Sequence, residues 1–131
     1  VIEDNVVAYL LTKTDITNIV TARIYANTLP QKPTLPALTY NRIATERSQT
    51  LNTGRPGLAA ARLQFDCWGK TYAEVKTLAE KMRLTLQGFS GVLSGGISAQ
   101  AIHLFGEWDM YEPTTQEFRV VLDFEVWFSE S

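Results

Sequence analysis

Three carboxylates, Asp66, Asp123 and Glu125, occupy the polar phase of two alternating strand patterns. Side by side on neighbouring strands, they could bind a divalent cation through oxygen ligands. Polar-out alternation gives such residues automatically, so a solvated strand face is the more ordinary account. His103 is the single histidine. A zinc site or a Ser-His-Asp triad would have to use it, and nothing at motif spacing joins it. Cys67 is the single cysteine, which excludes an intrachain disulfide. It falls in the apolar phase of its strand, where cysteine packs as a small hydrophobe. The stretch Gly91 to Gly96 lacks the Lys-Ser/Thr pair of a phosphate loop and does not lead from a strand into a helix. No catalytic, cofactor or metal site is expected, and the chain reads as a non-enzyme.

Function must therefore lie in surfaces. Trp68 and Trp127 fall in the strand phase opposite the apolar stripe. Large aromatics on a nominally exposed face are either interface anchors or partners packed across strands, and both readings stay open. Arg42, Arg47, Arg55 and Arg62 concentrate in and around one long connection, where arginine can pair with carboxylates of a neighbouring subunit or simply be solvated. That connection, Arg47 to Leu58, carries Thr53-Gly54-Arg55-Pro56-Gly57 near its end. It is longer than an efficient hairpin needs, and excess length often marks function. Arg47, Thr53, Gly54, Arg55, Pro56, Gly57, Trp68 and Trp127 are the candidate contacts to a partner.

The elements that position these residues follow from periodicity. Val6, Val7, Leu10 and Leu11 give an amphipathic helix from Ile2 to about Lys13, and Ile16, Ile19 and Val20 give a short turn beside it. Arg23 to Ala26 reads as a brief extended piece. Three prolines between Pro30 and Pro36 exclude helix and central strand. A strand is expected from about Ala37 to Glu46, with Leu38, Tyr40, Arg42 and Ala44 alternating against Thr39, Asn41, Ile43 and Thr45. In the next strand, Leu63, Phe65 and Cys67 oppose Arg62, Gln64, Asp66 and Trp68. That strand ends at Gly69, and Thr71 with Glu74 forms a capping box for a helix from Tyr72 to about Gln87, closed by Gly88. Ser90 to Ser98 reads as loop, and Ala99 to Phe105 as a strand that continues over Trp108 to Glu112 past a kink at Gly106. The last strand, Glu117 to Phe128, sets Phe118, Val120, Leu122, Phe124, Val126 and Phe128 against Arg119, Val121, Asp123, Glu125 and Trp127. Its length places it in the middle of a sheet. The expected fold is α+β: a mainly antiparallel sheet of about four strands with two helices on one face.

At 131 residues the chain is read as one domain, 1–131. Its composition, 45% hydrophobic and 20% charged, supports a core without disulfide or metal. A net charge of −2 supplies no global field for nucleic acid or anionic membrane. No apolar run reaches the roughly 18 residues of a membrane span, and no signal-peptide pattern is visible. Val1 stands where an initiator methionine would, and synthesis in the cytosol is expected.

Three passages together carry a resemblance. They are Ile24-Tyr25 with Leu29-Pro30-Gln31 and Leu35-Pro36 leading into Leu38-Thr39-Tyr40; Ala61 to Gly69 with Thr71-Tyr72 and the helix; and Asp109-Met110-Tyr111-Glu112 leading into Arg119 to Trp127. The chain resembles the tail completion, or tail terminator, proteins of long-tailed bacteriophages and related prophage or gene-transfer particles. The resemblance implies a ring-forming subunit, commonly a hexamer, at the head-proximal end of the tail tube. It implies a virion location at the head–tail interface, after synthesis in the host cytoplasm. The implied partners are further copies of the chain, the tail tube protein and the head connector or stopper, with DNA crossing the lumen without sequence-specific binding. Basic walls would hold phosphate, so Asp66, Asp123 and Glu125 are expected to face the channel. The competing expectations are another neck or head-completion ring, or a small ligand-binding domain.

Overall fold

The computed structural model describes residues 2–31, 33–47, 58–93 and 97–129. Three helices and six strands follow in the order α1 (Ile2–Leu10), α2 (Thr14–Val20), β1 (Ile24–Ala26), β2 (Ala37–Arg47), β3 (Leu58–Gly69), α3 (Tyr72–Leu86), β4 (Gly91–Val92), β5 (Ser98–Glu112) and β6 (Glu117–Ser129). The strands form one sheet in the order β1-β2-β3-β6-β5-β4. β1 runs parallel to β2, and every other neighbour is antiparallel. As its alternation requires, β6 is central, between β3 and β5.

The α+β class stands, with six strands instead of about four and three helices instead of two. The additions are β1, of three residues, and β4, of two, both too short to show alternation. The piece expected as a turn after α1 is the seven-residue α2, whose Ile16 and Val20 are fully buried. α1 itself stops at Leu10, before the expected Lys13.

One core lies between the sheet and the helices. It joins Ile2, Val6 and Leu10 of α1, Ile16 and Val20 of α2, and Val75, Leu78, Ala79, Met82 and Leu86 of α3 to Leu63, Phe65 and Cys67 of β3 and Val120, Leu122, Phe124 and Val126 of β6. Burial pushes the Cys67 thiol far up, so it stays protonated as a packing group. At the head of α3, Thr71 Oγ1 accepts from the Glu74 N–H at 3.1 Å. The Glu74 carboxylate reaches back to the Lys70 N–H at 2.9 Å, one residue ahead of the expected cap amide. Gly69 makes this approach possible: a Cβ there would lie 3.1 Å from that carboxylate and 3.3 Å from Val75 Cβ.

Three register shifts break the simple alternation, one of them between Ala99 and Ala101. A bulge between Arg42 and Ala44 turns Ala44 to the side of Arg62, away from the face holding Leu38, Tyr40 and Arg42. A second bulge, between Leu104 and Gly106, lets β5 run unbroken to Glu112.

Candidate interaction surface

The helices cover one face of the sheet, and among the described residues the other, the bare face, carries no secondary structure. Register places Thr39, Asn41 and Ala44 of β2 on this bare face, with Arg62, Gln64, Asp66 and Trp68 of β3. Opposite them on β6 stand Glu117, Arg119, Val121, Asp123, Glu125 and Trp127. His103, Trp108, Met110 and Glu112 of β5 complete it. The face thus carries Asp66, Glu112, Glu117, Asp123 and Glu125 against Arg62 and Arg119, with no lysine among the described residues.

The structure brings the three expected carboxylates onto one face of adjacent strands and intersperses arginines between them. Arg62 forms a two-pronged ion pair with Asp123, its Nε 3.3 Å from Oδ1. Its guanidinium also lies 4.2 Å from the centre of the Phe105 ring. Arg119 approaches Asp66 at 3.5 Å and stacks 5.0 Å from the Trp68 ring. Gln64 donates to Asp66 at 3.0 Å. Asp66 and Asp123 are only 8% and 7% exposed despite facing away from the core, because the long arginines lie across the strands above them. Burial raises the Asp66 pKa, while the Gln64 hydrogen bond and the Arg119 charge pull it back. Glu125 is half-exposed and accepts from Trp127 Nε1 at 2.7 Å. Among the described residues no group of three or more His, Cys, Asp or Glu has the arrangement of a metal site.

Both expected tryptophans are half-buried and hydrogen-bonded within the chain. Trp68 Nε1 donates to Thr39 Oγ1 at 3.0 Å, and Trp127 is flanked across the strands by Ala60 and Ala101. Arg47 closes β2, while Thr53, Gly54, Arg55, Pro56 and Gly57 lie outside the described residues. Sequence reading passed over Arg119, Phe105 and Trp108. Arg119 was visible as the basic member of the polar phase of β6. Phe105 and Trp108, 59% and 45% exposed, were hidden by the bulge that shifts the phase of β5.

At one end of the face, Trp68 and Arg119 meet Asn27, Thr28 and Leu29 after β1 and Glu112, Thr115 and Glu117 of the β5–β6 turn around a groove of about 390 Å³. On the helix side, Lys76 of α3 lies 3.3 Å from both Glu107 and Asp109, and the Tyr72 hydroxyl donates to Asp109 at 2.7 Å. These contacts tie the far half of β5 to α3. Nothing in the arrangement pairs a nucleophile with a base. What it offers is an acid-rich, hydrogen-bonded sheet face.

The family described as Tail completion protein gp17 matches residues 4–129. No curated protein matches the sequence. A chain from a structure titled "Virion of native gene transfer agent (GTA) particle" shares the fold, with a TM-score of 0.73 at 13% identity, over 95% of this chain and 92% of that one.

Proposed function

Because the chain belongs to the tail completion protein gp17 family and is thus a virion structural protein and not an enzyme, we propose that it forms a closed ring that terminates the tail tube and joins it to the head connector or stopper. Six copies are the expected number. The bare sheet face lines the channel, and DNA crosses it without sequence-specific binding. The observation that carries this reading is the charge of that face, five acids against two arginines and no lysine among the described residues. Such a wall gives phosphates no lysine to displace counterions. The helices then form the outer layer, where the circumference is larger. The β2–β3 connection, whose sequence carries Arg47 and Arg55, contacts a neighbour or the tube.

Electron microscopy of the concentrated protein, alone and with tail tubes, tests this. Rings of fixed symmetry, or caps at one tube end, are expected. A monomer that ignores tubes overturns it in favour of another neck component.

A further inference from the structure

The sheet ends in two open edges set diagonally. β1 covers β2 only as far as Ala26 opposite Tyr40, leaving Asn41 to Arg47 without a strand on that side among the described residues. β4 covers β5 only at Ser98 and Ala99. The Gly88 N–H and the Gln87 side chain then occupy Ile102 O and Leu104 N, leaving Gly106 to Glu112 open. Exposed strand edges are templates for pairing, and neither edge is shielded here by a proline or a lysine in its own strand.

Resting on the ring reading above, we propose that the open edge of β5 in one copy pairs with the open edge of β2 in the next, so that the sheets of the ring join into one continuous barrel. Four features support a second copy as the occupant. First, β5 and β2 run in opposite directions within the sheet, so head-to-tail addition brings them together antiparallel. Second, the two edges are equally long, and one register keeps helix face with helix face. It sets Arg47 opposite Glu107, Glu46 opposite Trp108, Thr45 opposite Asp109 and Ala44 opposite Met110. The bulge then absorbs Ile43, and Arg42 falls opposite Tyr111. Third, Arg42 on the β2 edge, 2.9 Å from Glu3 of its own chain, would meet a β5 edge that holds Glu107, Asp109 and Glu112, the first two each 3.3 Å from Lys76. Fourth, β1 at one end and the Gln87 contact to Leu104 at the other bound the joint and limit its register.

The diagonal offset also has the size that closure requires. Asp109 is level with Val120 on β6, whereas Thr45 is level, through Ala61, with Val126, six residues further along. At about 3.3 Å per residue, each copy steps about 20 Å along the strands while four strands advance it about 19 Å around the ring. The strands then tilt about 45° from the ring axis, at the upper end of the range of closed sheets, whatever the copy number.

Disulfide trapping tests the joint. Opposed residues of antiparallel strands have Cα atoms about 4.5–5.5 Å apart, within disulfide reach, and the native Cys67 is buried. Oxidised rings of Ala44→Cys/Met110→Cys are expected to run as a reducible ladder ending at the ring's copy number. Ala44→Cys alone, Met110→Cys alone and Ala44→Cys/Glu107→Cys are expected to give no ladder. All sites lie on the surface, and circular dichroism confirms that each variant is folded. Rings by microscopy without a ladder overturn the edge joint and leave the ring standing. An equal ladder from Ala44→Cys/Glu107→Cys overturns the register. Folded protein that stays monomeric, alone and with tubes, overturns both.

Discussion

Asp66 sits on the bare face yet is nearly out of water, between Gln64 and Arg119. Burial raises its folded pKa above the unfolded one despite those partners. An acid shifted this way stabilises the fold as the neutral form: the contribution is complete below the unfolded pKa and is lost as pH rises through the folded value. Asp66→Asn keeps an acceptor for Gln64 and removes the charge. It is expected to melt at or above wild type at pH 7, by up to about 3 °C for a gain below about 1 kcal/mol. The difference should vanish in melts below about pH 3.5, where the native acid is neutral in both states. A variant that melts lower at pH 7 would show that the Arg119 attraction outweighs desolvation. Trp127 makes its hydrogen bond to Glu125 of its own strand and stands over two alanines. Trp127→Ala is expected to cost about 1–2 kcal/mol in denaturant unfolding, with ring assembly intact. Lost assembly at unchanged stability would make it an interface anchor instead.

At the scale of elements, α3 is held by its cap as well as by its apolar stripe. Thr71→Ala removes the acceptor of the Glu74 N–H and is expected to cost about 1 kcal/mol, read from urea midpoints at constant slope. Gly88, at φ 77°, follows the C-cap Gln87 and donates to Ile102 O. Gly88→Ala meets no neighbour, so its expected cost of about 1 kcal/mol is conformational. This junction was the most legible part of the chain, because capping and 3.6-residue periodicity are local properties. The apolar phases of β3 and β6 were equally plain, since both strands bury one face along their whole length. β1 is expected only as a brief extended piece at Arg23 to Ala26, and β4 reads as loop, because two or three residues cannot display a period. The bulges were not legible either: nothing in Arg42-Ile43-Ala44 or Leu104-Phe105-Gly106 says which residue is squeezed out until the partner strand sets the register. For the candidate surface, the sequence placed Asp66, Asp123 and Glu125 on one face. It could not show that Arg62 and Arg119 would lie over two of them, because that pairing spans 61 residues in one case.

For the whole molecule, the decisive quantity is the charge presented to whatever passes the bare face. Two acids, Asp66 and Asp123, are already opposed by arginines and serve the wall itself. Glu112, Glu117 and Glu125 face outward from β5 and β6 with more freedom to set the field. Glu112→Lys/Glu117→Lys/Glu125→Lys would turn a face of five acids and two basic groups among the described residues into one of two acids and five basic groups per copy. None of the three contributes to the apolar core, so the rings should still form. Repeated around a ring, the added lysines would displace counterions from DNA and hold it. The expected outcome is that variant rings retain duplex DNA in a mobility shift at about 50 mM salt and release it steeply as salt rises, whereas wild-type rings retain none. Particles carrying the variant should assemble complete tails yet deliver DNA less efficiently. Normal delivery from particles whose rings bind DNA in solution would place this face on the outside of the ring, and the helices against the channel.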